Sequence, residues 1–268
     1  MNEPSPLYIV SDIRSAYQLR YAWTAWPKNS QFPEKPQIDI LDDLLSAWES
    51  DGIRCLELTW SRENLQALVS TKPHIAPVSI ASRLKGRLKH ALREAGWPSA
   101  FSRKFSLRSI GDNRSTDIDR YIANQVKRAQ LVDPNFEKLL SRFTRMNSEV
   151  NWRQPIRTNR GCYWYDFHLV LVTDDRLRFY DERTFELLDE YCSTIAAARG
   201  HRIGCQSIMP DHLHLALRGN PKLSPQAIAL SFLNNLAFLL GQKRVWQDGF
   251  YVGTFSEYNI NAIRRRLS

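Results

Sequence analysis

Apolar side chains recur along the first half of this chain with the two periods that distinguish strands from helices. Alternation at every second position predicts four strands, over residues 17–26, 54–60, 65–70 and 105–110. Apolar positions three and four residues apart predict four helices, over residues 38–48, 78–95, 115–129 and 135–146. Residues 147–161 are polar and contain Pro155, so we interpret them as a linker.

The second half repeats this plan. Strands are predicted over residues 162–173, 203–207 and 250–255, with a further strand beginning at His212. Helices are predicted over residues 184–198, 225–240 and 259–267. The order strand–helix–strand–strand–helix–strand–helix therefore occurs twice, which predicts an α+β fold built by internal duplication. The first copy would span residues 1–146 and the second copy residues 162–268.

The two copies differ at one strand and at one helix. Aligned on the proline that follows the histidine strand or its counterpart, His212 and His214 fall on Asn64 and Gln66. The first copy therefore lacks the histidine pair of the second.

At the helix, it is the second copy that lacks a candidate catalytic residue. Aligning Phe105 with Phe250 places Tyr121 on Arg266, so the second copy lacks the tyrosine of the first. These losses are complementary, and a fused dimer that needs only one complete site would tolerate them.

The histidine pair lies in the string Met-Pro-Asp-His-Leu-His-Leu, residues 209–215. Residues two apart in a strand point to the same face, so His212 and His214 would present two imidazoles side by side while Leu213 enters the core. Neutral imidazole is a common ligand of divalent metals, and the pair could form half of a metal site. Taken by itself, the spacing is more typical of a solvated strand face than of a metal site.

This string resembles the signature of the HUH single-strand DNA transposases, the small tyrosine transposases that include the REP-associated group. The resemblance implies two ferredoxin-like palm domains, each an antiparallel sheet with helices, fused as a tandem pseudodimer. It further implies that His212 and His214 hold a divalent metal, Mg²⁺ or Mn²⁺. Tyr121 would be the nucleophile on its helix, with Gln125 one turn later in the metal shell.

In that family each active site takes its histidines from one protomer and its tyrosine helix from the other. The resemblance therefore implies one composite site in this chain, formed by Tyr121 and Gln125 from the first copy and by the histidines from the second. The implied activity is cleavage and rejoining of single-stranded or hairpin DNA through a 5′-phosphotyrosine intermediate. One site in place of two leaves open whether the chain performs complete transposition.

Three alternatives stay open at this stage. The chain could be a domesticated DNA-binding protein without catalytic activity, or a nickase of the rolling-circle or relaxase type. Tyr258 is a rival nucleophile, although its helix offers Ala262 rather than an amide one turn later. Asp211 is interpreted as a turn residue that orients the histidine strand rather than as a ligand, and His168 as a core or surface histidine rather than a third ligand.

The charge indicates the kind of partner that the protein binds, and the cysteine content indicates its cellular compartment. The net charge is +9, from 37 Lys and Arg against 28 Asp and Glu, which favours a polyanionic partner. Four cysteines without paired spacing, and the lack of a signal-like or long apolar segment, predict a cytoplasmic, nucleoid-associated protein with no membrane contact. As an intramolecular pseudodimer the chain could be monomeric.

The predicted helix over residues 78–95 concentrates this positive charge. Such a run is compatible with a solvated helix face and with a rail that follows DNA phosphates. The candidate nucleic-acid-binding residues are Arg83, Lys85, Arg87, Lys89 and Arg93.

Overall fold

A computed structural model describes residues 5–28, 31–32, 38–97, 101–241 and 244–258. The elements of the first half are β1 (Arg14–Gln18), β2 (Arg20–Pro27), α1 (Ile38–Ser50), β3 (Ile53–Trp60), β4 (Leu65–Thr71), α2 (Pro77–Glu94), β5 (Phe101–Ile110), α3 (Ser115–Ala123), α4 (Gln125–Arg128) and α5 (Pro134–Arg142). Those that follow are β6 (Thr144–Met146), β7 (Ile156–Arg157), β8 (Gly161–Trp164), β9 (Asp166–Thr173), α6 (Glu182–Arg199), β10 (Arg202–Met209), β11 (His212–Arg218), α7 (Pro225–Leu239) and β12 (Trp246–Thr254).

The strands form two six-stranded sheets with matching strand order. One sheet runs β3-β4-β2-β5-β8-β7 and the other runs β10-β11-β9-β12-β1, with β6 added at the β10 edge. All neighbouring pairs are antiparallel except β5 with β8 and β12 with β1, which are parallel. Each sheet thus takes its fifth strand from the other half of the chain.

The register of the two sheets matches residue by residue. Tyr21 on β2 lies opposite Val69 on one side and Ser109 on the other. Phe167 on β9 lies opposite Leu217 and Thr254 in the same way. In this register His214, opposite Val170, occupies the position that Gln66, opposite Thr24, has in the first sheet.

One apolar core extends through both halves. On β11, Leu213, Leu215 and Leu217 are buried and belong to the same cluster as the buried residues of α6 and α7. The same cluster contains Tyr21 and Tyr165, whose ring centroids lie 6.4 Å apart. The alternation of the strands therefore fixes which face of each sheet is covered by its helices and which face remains for other contacts.

The crossing between the sheets is held by two hydroxyl groups in equivalent positions. Ser109 Oγ accepts a hydrogen bond from the Asp166 amide and donates to the Phe255 carbonyl, at 2.9 and 3.0 Å. Thr254 Oγ1 accepts from the Arg20 amide at 2.9 Å and donates to the Ile110 carbonyl at 2.6 Å. Each hydroxyl therefore ties its own half to two backbone groups of the opposite half, and buried backbone groups need such partners.

The predicted strands over residues 17–26 and 162–173 are each divided into two strands. The breaks fall at Leu19, between β1 and β2, and at Tyr165, between β8 and β9. Both residues are buried, and at both the chain passes from one sheet to the other. The alternation continues across the break, so the pattern could not reveal that the strand changes partners.

Other predicted elements also differ in the structure. The helix predicted over 115–129 is interrupted at Asn124, whose side chain donates to the Arg120 carbonyl at 2.8 Å and competes with the helical backbone. The helix predicted over 135–146 ends at Arg142, and β6 follows because it pairs with the edge of β10. The final helix predicted over 259–267, with Arg266, lies outside the described residues.

Residues 147–161, predicted as a linker, are packed against the body of the protein. Arg218 donates to the backbone carbonyls of Trp152 and Gln154. The segment also contains β7, which pairs with β8. No helix in the described part of the chain has both the length and the apolar character needed to cross a bilayer.

The Arg218–Asp166 pair gives the first test. Both side chains are buried, and Arg218 Nη2 lies 2.9 Å from Asp166 Oδ2. Burial raises the pKa of Asp166 to about 6, which leaves the carboxylate ionised at neutral pH. Asp166→Ala would leave an unpaired buried guanidinium, and we expect it to lower the free energy of unfolding by about 3–5 kcal/mol in urea titrations.

The exposed pair Arg183–Glu186 supplies the control, since Glu186→Ala should change stability by less than about 1 kcal/mol. Equal effects of the two substitutions would contradict a structural role for the buried pair.

Candidate active site

The paired histidines lie at the start of β11 on the face opposite its leucines. His212 pairs with Val172 of β9, and His214 pairs with Val170. Their ring centroids are 4.9 Å apart, and His214 is 4% exposed while His212 is more accessible. The expected arrangement of two imidazoles on one strand face is therefore present.

His214 is oriented by a third histidine that the sequence analysis set aside. His168, on the neighbouring strand β9, places its Nε2 atom 2.9 Å from Nδ1 of His214. Burial lowers the pKa of His168 to about 4 and that of His214 to about 2, where the neighbouring histidines add to the effect. Both imidazoles are therefore neutral at physiological pH, and one ring donates to the other.

His212 is oriented by Asp211, the residue that precedes it. Its Nδ1 atom lies 2.6 Å from Asp211 Oδ1, while Asp211 Oδ2 accepts from Arg176 at 3.2 Å. A carboxylate on one imidazole nitrogen fixes the ring and directs the other nitrogen outward, as in many metal sites. Asp211 thus does more than shape the turn.

Tyr121 reaches this histidine cluster from the first half of the chain. Its ring centroid lies 5.4 Å from that of His214 and 5.9 Å from that of His168, in edge-on contacts. The ring is 39% exposed, and the guanidinium of Arg128 lies 5.0 Å from its centroid. The tyrosine is therefore accessible, close to two imidazoles and next to a cation.

A cleft of about 580 Å³ lies beside Tyr121 and two of the histidines. The cleft wall combines Tyr121, His168 and His214 with polar residues of both halves, including Asp112 and Tyr251. Residues from both halves of the chain therefore line one cleft beside the tyrosine.

Helix α3 is held on this face by apolar packing and by one indole hydrogen bond. Ile118 and Ile122 are buried in a small cluster with Ala216 of β11. Trp152 packs against the same cluster, and its Nε1 atom donates to Asp119 Oδ2 at 3.1 Å. The segment taken for a linker therefore positions the tyrosine helix on the histidine sheet.

Gln125 does not share a helix with Tyr121. The break at Asn124 places it at the start of α4, where it is buried and its Nε2 atom donates to the Tyr121 carbonyl at 3.2 Å. Among the described residues, no hydrogen bond joins Gln125 to His212 or His214. Its expected place in a metal shell therefore remains a prediction.

The five basic residues of α2 lie on different sides of the helix. Arg83 donates to the Asp51 carbonyl, Arg87 pairs with the Asp51 carboxylate at 3.1 Å, and Arg93 contacts Glu94 at 3.5 Å. Lys85 and Lys89 instead line a groove on another side. The five therefore do not form one continuous row.

The structure adds two residues near the histidines that sequence reasoning did not select. His168 was interpreted as a core or surface residue, although strand alternation already predicted its position within a buried strand. Tyr251 lies 6.0 Å from His168 in ring-centroid distance and lines the same cleft. Tyr258, the rival considered from sequence, lies 5.7 Å from the Arg108 guanidinium on the first sheet instead.

The donor set suits a divalent metal in part. With Nδ1 of His212 on Asp211 and Nδ1 of His214 on His168, the Nε2 atoms are the ones available as ligands, and neutral imidazoles suit this role. No cluster of three or more His, Cys, Asp or Glu residues with metal-binding spacing occurs within the described ranges. Further ligands would have to be an amide, water or substrate oxygen.

One comparison with known proteins matches the part of the chain that carries the histidines. Residues 162–266 match the family described as IS200-like transposases, and this range contains β11 but not Tyr121. No curated protein matches the chain.

Two solved structures show weaker similarity. A candidate transposase from Deinococcus radiodurans R1 is 19% identical over 42% of this chain and 95% of its own, with a TM-score of 0.33. A protein of unknown function from Galdieria sulphuraria is 12% identical over 89% of this chain and 98% of its own, with a TM-score of 0.20. Similarities of this size do not specify a function. The likeness of residues 162–266 to IS200-like transposases therefore rests on the family match alone.

Trp152 offers a test of how the tyrosine helix is held. Trp152→Phe removes the donor to Asp119 and leaves a half-buried carboxylate without its hydrogen bond, at an expected cost of about 1–3 kcal/mol. We expect faster hydrogen exchange at the amides of α3, measured by mass spectrometry.

Trp164→Phe is the matched control, because its indole donates to the Arg153 carbonyl at a more exposed place. If both variants leave α3 exchange unchanged, Trp152 does not hold the helix.

Proposed function

We propose that this protein cleaves and rejoins single-stranded DNA in the manner of a transposase, through a covalent link between Tyr121 and a 5′-phosphate. The observation that carries the proposal is the contact of Tyr121 with His214, which joins residues from opposite halves of the chain. The IS200-like family match over residues 162–266 supports DNA as the partner. The net charge of +9 is compatible with it.

In the proposed reaction the Tyr121 phenol gives its proton to solvent and its oxygen attacks the phosphorus of the scissile phosphate. The new phosphorus–oxygen bond forms as the bond to the 3′ oxygen breaks, and the released strand end takes up a proton as a 3′-hydroxyl. The reverse reaction, with another 3′-hydroxyl, rejoins the strands and frees the tyrosine. The Arg128 guanidinium, 5.0 Å from the centroid of the Tyr121 ring, places a positive charge beside the proposed phosphate site.

His212 and His214 are the residues that would hold a divalent cation in this site. Bound there, Mg²⁺ or Mn²⁺ would supply charge neutralisation at a non-bridging phosphate oxygen. Asp211 and His168 keep the two imidazoles in place, and Gln125 is a proposed further ligand once the substrate is bound. Desolvation keeps His214 neutral and therefore ready to act as a ligand.

We also propose that the site is a single composite site in a fused pair of palm domains. Matching strand order, matching register and the reciprocal exchange of β1 and β8 support an origin by duplication. In this interpretation residues 1–146 are the copy that keeps the tyrosine helix, and residues 162–268 are the copy that keeps the histidines. Asn64 and Gln66 occupy the histidine positions in the first sheet. The second active site that a homodimer would have therefore lacks its histidine pair in this chain.

A second candidate is a DNA-binding protein without catalytic activity. It is favoured by one observation, the lack of a three-residue His, Cys, Asp or Glu cluster in the described part of the chain. This candidate predicts binding without dependence on metal and without a covalent adduct.

Covalent trapping distinguishes the two candidates. The protein is incubated with labelled hairpin oligonucleotides and Mn²⁺, denatured, and examined for label on the protein band. We expect an adduct with the unmodified protein that is lost in Tyr121→Phe and in His212→Ala. Tyr251→Phe is the matched control, since its hydroxyl lies in the same cleft, and it should keep the adduct.

An adduct lost only in Tyr251→Phe or Tyr258→Phe would overturn the assignment of the nucleophile. Label on no protein band, with metal-independent binding of the same oligonucleotides, would favour the non-catalytic candidate.

Mixing the two inactive variants tests whether the site lies within one chain. If tyrosine and histidines act within one chain, Tyr121→Phe and His212→Ala remain inactive when combined. Recovery of the adduct in the mixture would show that the site forms between chains, contrary to the proposal.

A further inference from the structure

A basic groove lies at the end of β5 that is remote from Tyr121. It has a volume of about 1170 Å³ and is formed by one side of α2, the beginning of β5 and the turn between β7 and β8. Its lining contains five cationic side chains and, among the described residues, no carboxylate. The cations are Lys85, Lys89, Arg103, Arg160 and Lys222.

Among the described residues, these five side chains have no acidic partner, unlike the other basic residues of α2. Arg83 and Arg87 share the single carboxylate of Asp51, and Arg93 contacts Glu94. Within the described ranges no ion pair involves any of the five groove cations. Burial lowers the pKa of Lys85, and the positive charges of Lys89 and Arg160 lower it further. The groove therefore concentrates positive charge that an anion would stabilise.

The turn that carries Arg160 is fixed against β5. Thr158 Oγ1 accepts from the Gly161 amide at 3.0 Å, and β8 pairs with β5 from Gly161 onward. A Cβ atom at Gly161 would lie 2.6 Å from the Phe105 ring, so a larger residue there would have to displace that ring. Arg160 is thus presented by a rigid hairpin rather than by a loose loop.

A second cleft of about 610 Å³ continues the groove. The two share Phe105, Thr158, Asn159 and Arg160, and the second adds two tryptophans. Trp26 is 40% exposed, and Trp164 carries the Arg108 guanidinium 3.9 Å from its ring centroid. Cations beside an exposed aromatic ring, here that of Trp26, are the combination that binds single strands, with phosphates on the cations and a base on the ring.

We propose that this groove binds the single-stranded DNA that flanks the cleaved phosphate, an inference that rests on the proposed function. β5 leads from Phe105 in the groove to Ile110 beside the tyrosine helix, a distance of about 16 Å along a strand. A DNA strand bound in the groove could therefore reach Tyr121 within a few nucleotides. The groove cations fix the DNA backbone, and the exposed ring of Trp26 favours unpaired bases over a duplex.

The test compares two triple variants that lose the same charge. Lys89→Gln, Arg103→Gln and Arg160→Gln remove groove cations, whereas the control changes Arg83, Arg87 and Arg93 to Gln. All six side chains are exposed, so neither variant should unfold. The readout is binding of a fluorescein-labelled single-stranded oligonucleotide, by anisotropy, over a range of salt concentrations.

We expect the groove variant to bind on the order of tenfold to a hundredfold more weakly, with a salt slope reduced by about 2, since each phosphate contact on a single strand contributes about 0.7. The control variant should bind nearly as the unmodified protein does. Equal weakening in both variants would overturn the proposal and attribute binding to net charge alone. Weakened binding of a duplex but not of the single strand would also overturn it.

Covalent trapping on the same variants separates this proposal from the proposed function. An adduct in the unmodified protein together with unchanged binding in the groove variant would refute the groove alone. Groove-dependent binding without any adduct would refute the catalytic function and leave a single-strand binding surface.

Discussion

The arrangement of this protein depends on the exchange of edge strands between its two sheets. β1 completes the sheet of the second half and β8 completes that of the first, so neither sheet has the edge partner it needs without the other. Ser109 and Thr254 secure the crossing, because each hydroxyl bonds one amide and one carbonyl of the opposite half. At Gly111 a side chain would lie 2.0 Å from the Thr254 carbonyl, so this close approach requires glycine. Because the halves are interlocked, α3 is carried directly from the end of β5 onto the face of the other sheet.

This placement gives the candidate site its composite character. The histidines are fixed by strand register and by Asp211 and His168, all within the second half. Tyr121 is fixed by a helix that follows β5 and is held by Ile118, Ile122 and Trp152. In the equivalent register of the first sheet, Gln66 replaces His214. Under the proposed function, the chain would be an asymmetric pair in which one surface keeps the chemistry and another, the basic groove, binds the DNA strand.

Much of this could be predicted from sequence, and the failures have physical reasons. Period-two alternation fixed the side of β11 on which His212 and His214 lie. The same alternation could not show that the chain changes sheets at Leu19 and Tyr165, because the pattern is the same on both sides. The proximity of Tyr121 and His214 is a tertiary contact between distant residues, and only the family resemblance suggested it. The positive charge of α2 is evident from the sequence, but Asp51, which pairs with Arg83 and Arg87, lies outside the helix, so the division between paired and unpaired charges was not visible.

The central claim is that Tyr121, opposite the histidines of the other half, forms the bond to DNA. The most direct measurement is mass spectrometry of the trapped adduct after nuclease and trypsin digestion. Trypsin releases Tyr121 within the peptide of residues 121–127, while Tyr251 and Tyr258 both fall within residues 245–264. The account predicts nucleotide mass on peptide 121–127, lost when His212 is replaced by Ala. Nucleotide mass on peptide 245–264 would contradict it.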